Sequence, residues 1–337
     1  MNSLRTFCIR RNKELFLIGL GILVFIAAAI SLFAGSVKVS PRDVMLAVLG
    51  EDSVSTSARI VLFSRLPRTC AAMLAGAALA TAGMVIQTVL NNPLASPSII
   101  GVNSSAGFAV ALMCALFPAA QKYTPVAAFL GALAGVMIVM VLSQSTVAAR
   151  ITVVLAGVAI SNFFSAGIDA VVTLVPDALS GVTDFRIGGF AGVTMVKLVP
   201  SAIIILMSLL VLVTLSQQLD ILALGTDTAR SLGLAVGPIR VVFLVLAAAL
   251  AGAAVSFSGL LGFVGLIVPH IMRKLIGEES GILLIASALG GAFFVIVCDL
   301  LARLVFAPFE IPVGIVLAFA GAPFFLWLLF KQRGGRI

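Results

Sequence analysis

Ten long apolar runs divide this chain, and they limit its possible folds more than any other feature. A bilayer core of about 30 Å needs roughly 20 apolar residues in helical form to cross it. Backbone polar groups must also be satisfied within lipid, which favours helices. The sequence therefore predicts an all-α, polytopic membrane protein with about ten transmembrane helices. The runs lie near residues 15–34, 68–90, 98–118, 125–143, 152–172, 195–215, 241–260, 263–277, 281–302 and 312–330.

The eighth run, 263–277, is short for a span, and we expect an irregular or tilted segment packed inside protein. Of the 337 residues, 61% are hydrophobic and only 10% are charged, whereas about a quarter are charged in a soluble domain. We therefore treat 1–337 as a single transmembrane domain. The four cysteines show no paired spacing and His270 is the only histidine, so neither a disulfide framework nor a metal site is predicted.

Basic residues at both chain ends predict the orientation. Because Lys and Arg are enriched in cytoplasmic segments, both termini are expected in the cytoplasm, which agrees with an even number of spans. The net charge of +8 then belongs to the cytoplasmic face and gives no reason to expect nucleic acid binding. The first run is longer than a signal-peptide core, so we expect it to be retained. The basic residues before the first span are Arg5, Arg10, Arg11 and Lys13, and those after the last are Lys331, Arg333 and Arg336.

The stretch 216–240, SQQLDILALGTDTARSLGLAVGPIR, lies between two spans. It cannot cross a bilayer, because each of its charged residues would cost a few kcal/mol at the membrane centre. Asp220 can cap a short helical turn that carries Leu222 and Leu224. Gly225 can end that turn and let the chain bend sharply with a positive φ.

A second turn, Ala229–Leu232, can follow the first. Thr226 or Asp227 can cap it, and Gly233 can end it. Two short helices whose leucines face away from a membrane-bound body predict a docking element. An ordinary loop packed on its own protein is the alternative.

A short internal sequence repeat favours an inverted architecture. The string LAGAA at 74–78 recurs at 250–254. These segments belong to the second and seventh predicted spans, which must run in opposite directions. Inverted repeats of this kind are a recurrent transporter design.

Several strings stand at the ends of predicted spans. Asp299 and Arg303 are four residues apart and can pair on one helix face. The strings are RLPR at 65–68, NNPLASP at 91–97, FVGLIVPHIMR at 263–273, DLLAR at 299–303 and EIPVG at 310–314.

Together with LDILALGTDTARSLGL at 219–234, these strings resemble the FecCD-type permeases of ABC importers. That family supplies the membrane subunits for iron–siderophore, haem and cobalamin uptake. The resemblance runs from about Val39 to Leu329, nearly the whole chain.

The resemblance implies roles for three groups of residues. The loop at 216–240 would be a cytoplasmic coupling loop that sits in a groove of the ATPase subunit. Outward arginines would receive acidic residues of a binding protein, and arginine suits this because it can bind a carboxylate bidentately. The turn at 91–97 would lie near the cytoplasmic gate. The coupling residues are Leu222, Leu224, Gly225, Thr226, Ala229, Arg230, Leu232 and Gly233; the docking residues are Arg65, Arg68 and Arg303; and the gate residues are Asn92, Pro93 and Leu94.

The resemblance also implies partners in the cytoplasmic membrane of a prokaryote. These are a second permease copy or paralogue, two ATP-binding subunits, one periplasmic or lipid-anchored substrate-binding protein, and membrane lipid. No GxxxxGK[ST] string occurs in the chain, so we expect ATP and Mg on the partner ATPase and no cofactor on this chain.

Other functions stay open at this point. Ferric siderophores are the commonest cargo of the family, and no residue distinguishes them from haem or cobalamin. A stand-alone secondary transporter would be expected to have ionisable residues near the bilayer midplane. A passive channel or scaffold would not need a docking loop.

Overall fold

The computed structural model describes residues 2–35, 56–144, 149–305 and 307–333, and within these ranges the secondary structure is helical, without strands. The described α-helices, in chain order, are α1 Asn2–Phe33, α2 Thr56–Ile60, α3 Leu66–Leu90, α4 Val102–Leu116, α5 Thr124–Gln144, α6 Ala149–Leu174, α7 Leu179–Ile187, α8 Met195–Thr214, α9 Ser216–Ala223, α10 Thr226–Ser231, α11 Val236–Ser258, α12 Val264–Ile276, α13 Ser280–Leu304 and α14 Val313–Arg333. A π-helical turn at Val61–Arg65 and two 3₁₀ segments, Pro118–Tyr123 and Pro176–Ala178, connect some of them.

Each predicted span corresponds to one of these helices, so the all-α prediction is confirmed. In the described ranges, seven helical segments are long and apolar enough to cross a bilayer. Shorter apolar stretches lie at Val102–Leu116 and Val313–Leu326. The eighth predicted span is α12, with 13 residues, which makes it about 20 Å long. It is too short for an ordinary span, as the sequence predicts.

Helix α3 forms the centre of the bundle and packs against α11 and α13. Its Gly and Ala residues let neighbouring backbones approach closely. A Cβ atom at Gly76 would collide with the backbone of Gly291 in α13, and one at Gly83 would collide with Gly265 in α12. Close packing of small residues therefore holds the core of the bundle together.

The bundle has two ends, which we name after residues there. At the Lys13 end, Lys13 pairs with Glu279 at an Nζ–Oε2 distance of 3.0 Å. At the Arg68 end, Arg68 near the start of α3 and Ser258 at the end of α11 line one cavity. Helices α3 and α11 therefore run in opposite directions, as an inverted repeat requires, although the repeat itself stays a prediction.

Candidate functional site

Two short helices, α9 and α10, form the surface of the Lys13 end between α8 and α11. The eight residues of α9 follow α8 after the single residue Leu215, and α10 has six residues. Gly225 lies between them with φ 104° and ψ 161°, a conformation that only glycine adopts readily. The positive φ predicted for Gly225 is confirmed, and it sets the angle between the two helices.

The inner face of these helices packs into the bundle. Leu219 and Ala229 are fully buried, and Leu222 is only 4% exposed, in the main hydrophobic core. The expectation that Leu222 and Ala229 face outward is therefore wrong. They anchor α9 and α10 to the bundle, and the packing of their own chain occupies these side chains.

The outer face presents two leucines. Leu224 is 62% exposed and Leu232 is 60% exposed, so the prediction of outward leucines is confirmed for this pair. Each caps the C-terminus of its helix, and each precedes a glycine with positive φ, 104° at Gly225 and 83° at Gly233. The same unit, a short helix followed by an exposed leucine and a left-handed glycine, thus occurs twice.

Charged neighbours place these leucines outside the lipid. Asp227 and Arg230 lie between them on α10, and both are exposed. Leucines exposed on the long helices can contact acyl chains. Charged side chains, in contrast, cost a few kcal/mol at the membrane centre. The surface that carries Leu224 and Leu232 therefore faces water or another protein.

Two polar contacts fix the helices in place, and both differ from the predicted caps. Asp220 lies within α9, and its Oδ1 accepts a hydrogen bond from the backbone N–H of Ser280 at 2.8 Å. Thr226 is the first residue of α10, and its hydroxyl accepts a bond from Arg240 Nη2 at 3.2 Å. The capping roles predicted for Asp220 and Thr226 are wrong, because each side chain bonds to a distant part of the chain.

At the Arg68 end, five charged residues form what we call the arginine cluster: Arg65, Arg68, Asp299, Arg303 and Glu310. Arg68 donates through Nε to Asp299 Oδ1 at 3.0 Å and through Nη1 to Glu310 Oε2 at 2.6 Å. Arg303 Nε lies 3.1 Å from Asp299 Oδ2, which confirms the predicted pairing. Asp299 is thus held between two guanidinium groups.

Arg65 and Arg303 also bond to the end of α1. Arg65 Nη1 donates to the carbonyls of Leu32 at 2.8 Å and Phe33 at 2.7 Å. Arg303 donates to the Ala34 carbonyl at 3.1 Å and to Ser31 Oγ at 2.6 Å. The last carbonyls of a helix lack intrahelical partners and carry partial negative charge. These arginines therefore cap the C-terminus of α1.

This geometry corrects the docking interpretation. Arg65 is 5% exposed and Arg303 is 3% exposed, and their donors are directed at groups of the same chain. Neither guanidinium is free on the surface to receive a carboxylate from a partner. Arg68, also largely covered, already holds two carboxylates.

A cavity of about 510 Å³ opens beside the cluster. Arg68 and Glu310 line it, so this pair is the part of the cluster that solvent in the cavity reaches. The glycine-rich segment 188–192, Asp184 and Lys197 also line this cavity.

The turn predicted to lie near the gate follows α3. Asn91 ends the helix in the left-handed conformation, with φ 48°. Asn92 Oδ1 accepts a bond from the backbone N–H of Leu94 at 3.0 Å, while Pro93 is exposed. The chain therefore makes a compact, self-bonded turn here, and its gate role stays a prediction.

Similarity to known proteins decides the family. The model of the FecCD transport family matches residues 22–331.

This chain belongs to the FecCD transport family. The match extends from the middle of α1 to nearly the end of α14, so it includes α9, α10 and the arginine cluster. The resemblance found in the sequence strings is confirmed, and the chain is a multi-pass transport protein.

Individual FecCD proteins are similar over almost their full length. The Fe(3+)-citrate import system permease protein YfmE of Bacillus subtilis is 34% identical over 330 residues, 96% of this chain and 98% of that protein. The hemin transport system permease protein HmuU of Yersinia pestis is 34% identical, with 94% and 96% covered. The vitamin B12 import system permease protein BtuC of Salmonella paratyphi A is 36% identical, with 96% and 97% covered.

The fold also matches a solved structure, described as an inward-facing conformation of a metal-chelate type ABC transporter. The TM-score is 0.84 at 30% identity, and the match covers 94% of this chain and 99% of that one.

Two features of this FecCD protein are not evident from its sequence. The Asp220–Ser280 bond joins residues 60 positions apart, and the arginine caps on α1 reach across about 30 and 270 positions. No local signal distinguishes the two exposed helix ends, since the pair Leu-Gly at 224–225 and 232–233 also occurs at 130–131 and 289–290, inside predicted spans.

Proposed function

We propose that this chain is the permease subunit of an ATP-driven importer that moves a ferric siderophore or a related iron chelate across the cytoplasmic membrane of a prokaryote. Two permeases would form the pathway, two separate ATPase subunits would bind at the Lys13 end, and a binding protein would deliver cargo at the Arg68 end. ATP and Mg would be held by the ATPase, with both permease termini in the cytoplasm.

The observation that carries this proposal is the pair of exposed leucines on anchored helices. Leu224 and Leu232 stand out from a base that Leu219, Leu222 and Ala229 hold in the core. Covering a large apolar side chain fully is worth about 1.5–3 kcal/mol. A rigid base also transmits displacement, since packed interiors are not continuously deformable. An ATPase groove that receives both leucines would therefore hold and move the bundle.

The iron chelate is proposed from relatives, because no described residue selects a cargo. YfmE is named as an Fe(3+)-citrate permease, HmuU as a hemin permease and BtuC as a vitamin B12 permease. Haem and cobalamin are accordingly the alternative cargoes.

Uptake by a strain that lacks only this chain tests the cargo. Cells with and without the gene are given radioactive ferric citrate, a ferric hydroxamate, hemin or cyanocobalamin in separate assays. We expect loss of uptake for an iron chelate and unchanged uptake of cyanocobalamin. Loss for hemin or cyanocobalamin alone would assign the alternative cargo.

Purification of the tagged chain from its own cells tests the transport class. An ATPase subunit should co-purify in stoichiometric amount, and uptake should stop when ATP is depleted while the proton gradient is maintained. Uptake without a bound ATPase that follows the proton gradient would instead identify a secondary transporter, and gradient-independent flux would identify a channel.

Thiol labelling tests the orientation. A cysteine introduced at Ser180 should react with a membrane-impermeant reagent in intact cells. One introduced at Thr226 should react only after the membrane is opened, and labelling from outside at 226 would contradict the proposed arrangement.

A further inference from the structure

Helix α13 begins beside α9, which together with α10 we call the coupling helices. Its capping residue Glu279 makes no side-chain bond to the helix start in the described part of the chain and pairs with Lys13. The cap is supplied by Asp220 of α9, whose carboxylate accepts the N–H of Ser280, the first helical residue. A carboxylate at this position satisfies an otherwise unpaired donor and is favoured by the helix dipole.

The space beside Gly281 supports the same junction. A Cβ atom on Gly281 would lie 3.5 Å from Ser216 Oγ, which is ordinary van der Waals distance. The start of α9 therefore lies beside the start of α13, and Asp220 bonds across this junction.

The far end of α13 belongs to the arginine cluster. Asp299 and Arg303 lie in its last two turns, where Asp299 holds Arg68 and Arg303 holds the end of α1. With 25 residues, α13 is about 37 Å long. One continuous helix thus joins the surface of the coupling helices to the cluster at the other end of the bundle.

We propose that Asp220 is a positioning residue for transport, because it fixes the coupling helix α9 to the start of α13. Displacement of α9 then moves α13 along its axis and changes the contacts of the arginine cluster, which lies beside the cavity at the Arg68 end. This inference rests on the proposed function, since it needs an ATPase that moves α9. It adds a named path between the ATPase surface and the opposite end.

Two kinds of substitution remove the bond from opposite sides. Asp220→Ala removes the acceptor, and Asp220→Asn keeps an oxygen acceptor at the same position. Ser280→Pro removes the donor while leaving Asp220 intact. Proline is well tolerated at the first helical position, and Glu279 already has the extended backbone, φ −62° and ψ 111°, that a residue before proline prefers.

The experiment uses the purified permease–ATPase complex in liposomes, with the native binding protein loaded with the iron chelate identified by the uptake assay. The readouts are the ratio of stimulated to basal ATP hydrolysis, the cargo moved per ATP, the amount of bound ATPase and the melting temperature. Asp220→Ala and Ser280→Pro should each lower the stimulation ratio and the cargo per ATP by about fivefold or more. Asp220→Asn should retain most of both, and the Ala/Pro double variant should be no worse than either single one.

These readouts separate positioning from a purely structural role. A structural role predicts a lower melting temperature with an unchanged stimulation ratio, and that result would overturn the inference, as would additive effects in the double variant. If the wild-type chain binds no ATPase, the proposed function fails. If it binds ATPase and Asp220→Ala keeps wild-type cargo per ATP, only the role of Asp220 fails.

Discussion

The two ends of the molecule differ in what their key side chains contact. At the Lys13 end, Leu224 and Leu232 are each about three-fifths exposed, although the helices that carry them are anchored. At the Arg68 end, Arg65 and Arg303 are almost fully buried and bond to their own chain. The sequence predicts a docking surface at both ends. The structure leaves the predicted leucines exposed at the first end and buries two of the predicted arginines at the second.

The difference separates side chains that would gain from a partner from side chains that would not. An exposed apolar side chain on a fixed base gains from a partner, because covering it removes water. A buried charge whose hydrogen bonds are already made gains nothing from a partner, and removal of its counterpart is strongly destabilising. We therefore expect docking residues to combine exposure with anchored neighbours, whatever their residue type.

The largest effect is expected from Arg303→Glu. The change breaks a buried pair with Asp299 and removes the cap from α1, so it should destabilise the chain by about 3–5 kcal/mol. We expect little folded protein, measured as yield and melting temperature in detergent. Arg186→Glu is the matched control, since Arg186 is exposed and 3.8 Å from the exposed Asp169. A folded Arg303→Glu variant with wild-type melting temperature and lost binding-protein affinity would restore the docking role.

The pair Leu222→Ala and Leu224→Ala compares a buried and an exposed leucine two positions apart. Truncation of the buried Leu222 should cost about 2–5 kcal/mol, whereas Leu224→Ala should change stability by less than about 0.5 kcal/mol. Melting temperature and ATPase binding are measured on both variants. Leu224→Ala should weaken ATPase binding without a stability change. Equal destabilisation by both would show that the outward face of α9 is misassigned.

The sequence predicts the fold well because lipid restricts the choices. Runs of apolar residues predict the long helices and the short α12, whereas α2 and α7 lie outside every such run. Gly225 and Gly233 also predict the ends of α9 and α10, because the positive φ they adopt is a local property of glycine.

The sequence predicts the contacts of individual residues less well than the fold, because these contacts depend on distant parts of the chain. In helices as short as α9 and α10, the inward face is set by docking against the bundle, so Leu222 and Ala229 cannot be distinguished from Leu224 and Leu232 by periodicity. Aspartate is a favoured capping residue, but in the folded chain Asp220 lies within α9 and accepts the N–H of Ser280.

Gly225→Val should have an intermediate effect. Valine resists the φ of 104°, and such backbone strain costs on the order of 1–3 kcal/mol, which here would be relieved by tilting α10. We expect reduced cargo uptake and reduced stimulated hydrolysis with the chain still in the membrane. Gly237→Val is the control, since Gly237 has open space around it and no positive φ. Identical behaviour of both variants would show that the angle between α9 and α10 does not affect uptake.

The smallest effect is expected from Arg230→Glu. Arg230 is exposed on α10, and exposed charge contacts are typically worth less than about 1 kcal/mol. Stability should not change, while ATPase association should become slower and less dependent on salt concentration. Association rates measured at low and high ionic strength would show this. A large loss of affinity at high salt would mean that Arg230 is a buried contact rather than a peripheral one.

If Leu224 and Leu232 hold the ATPase, the Leu224→Asp/Leu232→Asp double variant should lose it. ATPase bound per permease and melting temperature are measured on the same preparation. If each leucine contributes about 1.5–3 kcal/mol, binding should fall on the order of 100-fold or more, with the melting temperature of the permease itself unchanged. A double variant that retains stoichiometric ATPase and full stimulated hydrolysis would show that these leucines do not hold the ATPase.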